Sequence, residues 1–335
     1  MTPPLITLEE HFFSTPLPAS LQSLYTEQLT HIPSLLPKLT DLAALRRLDM
    51  DAGGIALQVI SHAPGLCAHD LAACRAANDQ LAAAIRAEDL RAGKLEGRSG
   101  RFAGFAVAPM ADPAAAADEL RRAVRQLGFV GALVDNRCQG RFYDGEEYEE
   151  LGVPVYLHPS WAGEEEMKGK YEGNFEAAAA RSMASSGMGW HCETGLHVLR
   201  LFAAGLFDRR PGLKIVIGHM GEMIPFMLQR IQALSRRWGP FRRDFGTVYA
   251  ENIWITTSGV WSLDPLRCIL ANTRLDHILY SVDYPFQSNE AGLEWIRELE
   301  QSGLVDEEQL KAIAYGNAEK LLGVELPGRP QGALN

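Results

Sequence analysis

The chain has 335 residues, of which 47% are hydrophobic and 22% charged, enough apolar material for a large core and too little polar bias for disorder. Its 32 Lys and Arg against 42 Asp and Glu give a net charge of −10, which argues against nucleic acid or an anionic membrane surface as a partner. Its 5 cysteines, odd in number and never spaced C-x-x-C, exclude a disulfide scaffold or a cysteine zinc knuckle and suit a reducing compartment.

The N-terminal MTPPLITLEEHFFS has no basic n-region, so it is read as no signal peptide. No apolar run reaches the roughly 18 residues that span a bilayer. A cytoplasmic setting is expected. Eight short apolar runs then follow along the chain: 5–12, 55–62, 102–110, 129–136, 153–159, 214–221, 252–259 and 277–286. Each is too short and too continuously apolar for a surface helix and reads as a buried parallel strand. Between them lie helix-forming stretches with stop signals at Gly53, Gly93 and Gly128, and Asp112-Pro113 reads as an N-cap followed by proline at the first helical position.

Eight strands alternating with helices predict a (β/α)8 barrel rather than the two domains that length alone would suggest. A doubly wound sheet would need a glycine-rich phosphate loop, and neither G-x-G-x-x-G nor G-x-x-x-x-G-K-[ST] is present. The whole chain, 1–335, is read as one domain with a tail from about 325. Two connections are irregular. Residues 160–213 exceed a usual βα connection, with 161–190 read as an inserted loop and TGLHVLRLFAAGLF as an amphipathic helix. Residues 137–152 leave room only for a short helix around EEYEEL.

A barrel of this kind carries its chemistry at the C-terminal ends of the strands. Polar residues gather there: Glu9, Glu10 and His11 after the first strand, Ser61-His62 after the second, Asp135-Asn136 after the fourth, and His158 after the fifth. His219, Thr256-Thr257-Ser258 and Asp283 follow for the sixth, seventh and eighth. Glu9 and His11, two apart, share a strand face, whereas Glu10 points the other way and reads as structural. Together with His158 and Asp283 they offer two imidazoles and two carboxylates, a donor set for Zn²⁺ or Mn²⁺. His219 and Glu222 lie three apart, where the carboxylate can orient the imidazole. Each of these residues alone has a bland explanation as a solvated strand end, a core histidine or an N-cap. Their recurrence at one end of separate strands is harder to explain that way, because buried charge must be paired or metal-bound. His197 reads as core, and His62 and His191 are within reach of the mouth by position only. No G-x-S-x-G elbow is present, and no cysteine sits beside an obvious base at a strand end, with Cys192 next to His191 the nearest case.

LEEHF at 8–12, YLHP at 156–159, GLFDRRPGLKIVIGHMGE at 205–222, NIWITTSG at 252–259, SVDYPF at 281–286 and GNAEKLLGV at 316–324 together resemble the decarboxylases of the amidohydrolase superfamily. The resemblance is strongest to the branch acting on γ-resorcylate, 2,3-dihydroxybenzoate and salicylate. It implies that Glu9, His11, His158 and Asp283 bind one divalent metal, Zn²⁺ or Mn²⁺, with no organic cofactor. It also implies catalytic roles for Asp283, His219 and Glu222. Phe286 resembles the residue packed on the substrate ring and Arg230 an arginine near the pocket, with Asn136 and Phe12 as further substrate-binding candidates. A homodimer or homotetramer is usual in such a family. Relative to it, the helix between the fourth and fifth strands is shorter by about three turns, and 161–190 has no matched counterpart.

The expected activity is non-oxidative decarboxylation of an ortho-hydroxybenzoate-type aromatic acid, of the salicylate, dihydroxybenzoate, 6-methylsalicylate or orsellinate class. The same residues would serve a metal-dependent hydrolase of a lactone or amide. A non-catalytic binding barrel is disfavoured because the whole donor set is present.

Overall fold

The computed structural model describes residues 2–66, 71–93, 100–144 and 152–327. Eight parallel strands pair in chain order: β1 (Leu5–Phe12), β2 (Ile55–His62), β3 (Phe102–Ala106), β4 (Gly131–Asp135), β5 (Val155–His158), β6 (Ile215–Ile217), β7 (Ile253–Thr256) and β8 (Ile278–Leu279). Helices between them pack outside, so the architecture is the (β/α)8 barrel. One apolar cluster fills its inside: Ile6, Leu8, Leu57, Val59, Phe105, Leu133, Tyr156, Val216 and Leu279, with Leu321 and Leu322 of the Asn317–Leu322 helix in the same cluster. A larger one lies between sheet and helices.

The first two strands span the expected residues, and the remaining six are trimmed at one or both ends. The eighth is the extreme case, reduced from a ten-residue expectation to Ile278–Leu279. Beyond Leu279, side chains replace the backbone ladder. Ser281 N–H donates to Thr257 Oγ1 at 3.0 Å, and Val282 and Tyr284 N–H both donate to the Glu10 carboxylate at 3.2 Å. Opposite, the register of β1 against β2 shifts between Thr7 and Glu10, as at a β-bulge, and Ser281 Oγ accepts from both Leu8 N and Glu9 N at 2.9 and 2.8 Å. A direct bond from His11 N to Tyr284 O at 2.7 Å completes the seam. Glu10 is thus structural, as its strand parity indicated: a buried carboxyl, pushed up to about 8 by burial against the pull of its hydrogen bonds, that closes the barrel between β8 and β1.

Asp112 caps the Pro113–Leu127 helix by accepting from Ala115 N, and that helix ends at left-handed Gly128, as read from the sequence. The 161–190 segment, expected as an inserted loop, has helical structure of its own. It carries a helical turn Glu164–Glu166 running into Met167–Tyr171, then a helix Ala177–Ala184, and the next helix, Gly189–Ala203, starts within it. Ion pairs anchor it: Arg137 Nη1 lies 2.6 Å from Glu166 Oε2 and 3.5 Å from Glu193 Oε2, and Lys170 pairs with Glu193. The short helix expected around EEYEEL and most of the C-terminal tail fall outside the described residues.

Candidate active site

The β1 irregularity and the β8 seam place Glu9, His11 and Asp283 side by side at the barrel mouth, and β5 adds His158. The four residues each offer a ligand atom within 4.8 Å of the others. His158 Nε2 lies 3.0 Å from Glu9 Oε1, and His11 Nε2 lies 3.3 Å from Asp283 Oδ1. The surroundings aim these atoms inward. His158 donates from Nδ1 to Pro159 O at 2.7 Å, which leaves the Nε2 lone pair toward the centre. His11 has Ser61 Oγ at 3.4 Å from Nδ1, and its backbone carbonyl accepts from buried Arg46 at 2.6 Å. Glu9 accepts on Oε2 from Tyr156 Oη, which leaves Oε1 to the centre. A close approach is required here: a Cβ on Gly218 would stand 2.9 Å from Tyr156 Oη and 3.0 Å from Glu9 Oε2.

The donor set fits a divalent cation. Glu9 Oε1, His11 Nε2 and Asp283 Oδ1 are all buried atoms with no hydrogen-bond partner, a costly arrangement unless a cation is there to take their lone pairs. Burial would raise the Glu9 carboxyl, but His219, His158 and His11 outweigh it and hold it well below the usual range. Burial pushes His11 down; it would do the same to His158, but Glu9 outweighs it.

His219 and Glu222 sit in the turn after β6. His219 Nδ1 donates to Glu222 Oε1 at 2.8 Å, which leaves Nε2 facing Glu9 Oε1 at 3.9 Å. Burial alone would lower His219; the Glu222 and Glu9 carboxylates outweigh it and push it up to about 10. The turn is strained. Of the six non-glycine residues with left-handed φ among the described residues, His219, Met220, Glu222 and Met223 belong to it, and a fifth is Asp283. Such strain persists only where the surrounding structure enforces it, commonly at functional sites.

A cavity of about 190 Å³ opens onto both groups, lined by His158, His219 and Asp283 with Tyr25, Trp161, Trp190 and Phe286. Engineered apolar cavities of about 150 Å³ accept benzene, so one substituted ring fits. Tyr25 and Phe286 stack at 6.0 Å, Tyr25 meets Trp161 edge-on at 4.8 Å, and Phe286 lies 5.6 Å from the His11 ring.

Of the four substrate-binding candidates, only Phe286 lines this cavity. Asn136 is buried instead, donating to Thr194 Oγ1 at 3.0 Å and accepting from Ser160 Oγ at 2.5 Å, so it ties the β4 exit to the β5 exit and the Gly189–Ala203 helix. Phe12 packs edge-on to His62 at 5.2 Å within the core. Arg230 is exposed on the Ile224–Ser235 helix, and none of the described residues lining the cavity is Lys or Arg. His197 is core, between Phe142 and Tyr143, as expected. Sequence reasoning missed Tyr25, Gln28 and Tyr156, and left His191 undecided. Only the adjacency Trp190-His191 at a helix start hinted at the last.

A (β/α)8 barrel with a two-imidazole, two-carboxylate centre at its C-terminal mouth defines the metal-dependent amidohydrolase class. The model of the amidohydrolase family matches residues 30–324, and the chain belongs to that family. It is 50% identical over 337 residues to decarboxylase orsB of Emericella nidulans, covering 97% of this chain and 99% of that protein. It is 35% identical to γ-resorcylate decarboxylase of Rhodococcus jostii, covering 87% and 91%. The solved dihydroxybenzoic acid decarboxylase of Polaromonas sp., with bound manganese and the inhibitor 2-nitroresorcinol, superposes with TM-score 0.81 at 31% identity, covering 96% of this chain and 97% of that one. These relatives favour a decarboxylase over the hydrolase alternative.

Proposed function

We propose that the protein is a divalent-metal-dependent, non-oxidative decarboxylase of an ortho-hydroxybenzoate-type acid, within the dihydroxybenzoate and orsellinate class. The observation that carries the reading is the set of unpartnered inward atoms of Glu9, His11 and Asp283 at the floor of a ring-sized aromatic cavity beside His219 and Glu222. With a net charge of −10 and no Lys or Arg among the described residues of the cavity wall, an anionic substrate needs a local positive charge. Glu9, His11, His158 and Asp283 would hold a divalent cation, which would supply that charge and Lewis-acid polarisation of the bound acid.

The chemical difficulty is that direct loss of CO₂ would leave an aryl carbanion. Protonating the ring carbon first avoids this, since the ortho oxygen pushes electrons in and loss of CO₂ restores aromaticity. Asp283, on the cavity wall, is the proposed donor to the ring carbon, and the hydrogen-bonded His219–Glu222 pair handles the hydroxyl proton. Tyr25, Trp161 and Phe286 hold the ring and exclude water. Buried Trp190 Nε1 and Gln28 Oε1 lack partners among residues lining the same cavity, which supports a ring bearing a further polar substituent away from the carboxylate.

The test is CO₂ release from a panel of hydroxybenzoates, with Mn²⁺-loaded enzyme, run in D₂O. The expected result is release from dihydroxy acids with one deuterium at the former carboxyl carbon, and faster than from salicylate. Ring-opened or hydrolysed products without CO₂ would overturn the reading. Self-association as a homodimer or homotetramer is proposed for the Ile224–Ser235 helix, whose outer face shows Met223, Phe226 (76% exposed) and Met227 around Arg230. Light scattering of Phe226→Glu against wild type tests it, with a fall in mass expected.

A further inference from the structure

One histidine beside the cavity has no part in the reaction proposed above. His191 is the third residue of the Gly189–Ala203 helix. Its Nδ1 lies 2.7 Å from Glu222 Oε2, its Nε2 lies 3.0 Å from Ser186 O, and its ring centroid is 4.7 Å from that of His219. Glu222 is 1% exposed, and its other oxygen takes the His219 Nδ1 hydrogen at 2.8 Å. The buried carboxylate is therefore gripped by an imidazole on each side. Both neighbours of His191, a carboxylate and a backbone carbonyl, can only accept, so both its ring nitrogens donate.

The close approach is built into the helix. Gly195, one turn beyond His191, rests against the turn that carries Glu222, where a Cβ would stand 2.5 Å from Glu222 O. Ser186, whose carbonyl His191 holds, itself lines the cavity. The insertion, the cavity wall and the His219–Glu222 pair are thus joined through one side chain.

We infer that His191 is a positioning residue: it fixes Glu222 from the far side, and through Glu222 it fixes the Nδ1–H hydrogen bond and the aim of His219. The inference rests on the decarboxylase reading for its kinetic consequence, though not for its geometry. Without His191, Glu222 loses one of its two holds, and the His219 ring can swing, so proton transfer slows while ring binding is untouched.

Three variants separate the roles. His191→Asn keeps an N–H where Nδ1 stood, His191→Gln keeps one only where Nε2 stood, and His191→Ala keeps neither. With Mn²⁺-loaded enzyme, Ala and Gln should lower kcat about 30-fold with KM within about twofold, and Asn should return to within about fivefold of wild type. Metal content should stay stoichiometric in all three. In Zn²⁺-loaded protein carrying ¹⁵N-labelled histidine, where the metal is diamagnetic, the downfield His219 Nδ1–H proton signal should persist in wild type and Asn and vanish or broaden in Ala and Gln. Wild-type kcat in Ala or Gln, Asn no better than Gln, or an unchanged His219 signal in Ala or Gln would overturn the inference. If wild-type enzyme released no CO₂ from any acid in the panel, the decarboxylase reading would fall by itself, and the proton signal would still decide the role of His191.

Discussion

Two acid–imidazole clusters share the mouth of this barrel and differ in how far their members satisfy one another. In the Glu9, His11, His158 and Asp283 cluster, three inward atoms have no hydrogen-bond partner. In the His191, His219 and Glu222 cluster, both Glu222 oxygens, both His191 nitrogens and His219 Nδ1 are engaged, and only His219 Nε2 is left facing the cavity side. Similar residue types are thus used in opposite ways. The first group converges lone pairs and is complete only around a cation, whereas the second holds its own protons and leaves one nitrogen for chemistry.

Substitutions can break that comparison. The largest effect is expected for Asp283→Asn, which removes a charge from the first cluster and the proposed proton donor together. CO₂ release should fall at least about 10³-fold, with Mn²⁺ retention reduced after gel filtration; wild-type rates would remove Asp283 from the mechanism. Glu222→Gln strikes the second cluster alone. Here kcat should fall about 10²-fold while elemental analysis still finds a full complement of metal; metal loss in this variant would merge the two clusters into one site. The smallest effect on turnover is expected behind the first cluster, in the backbone seam that carries Glu9 and Asp283. Ser281→Ala deprives Leu8 N and Glu9 N of their acceptor and should cost about 1–3 kcal/mol in urea unfolding, with kcat lowered only severalfold. Unchanged stability would mean that water replaces the hydroxyl.

Legibility in the sequence followed how local the determining interaction is. β1 and β2 run from Leu5 and Ile55 to Phe12 and His62, the limits their apolar runs marked, because a strand buried on both faces is written as a continuous apolar segment. The Asp112 cap and the Gly128 stop were readable for the same reason. β8 was not, since Glu10, Thr257 and Ser281 supply hydrogen-bond partners from residues far away in the chain. In the site, Glu9, His11, His158, His219 and Asp283 each lie toward or just beyond the C-terminal end of a strand, so the barrel rule alone collected them. Asn136 and Phe12 also end strands, yet the structure turns them to packing and bracing, and Arg230 faces outward. No strand-end rule reaches His191 and Gln28, which lie on helices beyond the barrel, or Tyr25, which joins two short helices there.

By itself the sequence determined that eight buried strands alternate with helices, and which imidazoles and carboxylates stand at their exits, because hydrophobic periodicity and strand parity are properties of neighbours in the chain. Only the tertiary structure decided which of those exits converge, because that depends on a register shift in β1 and a side-chain-built seam at β8. It alone decided that Glu222 is held from two sides, because His191 arrives from another element, 31 positions away, where no local pattern can announce it.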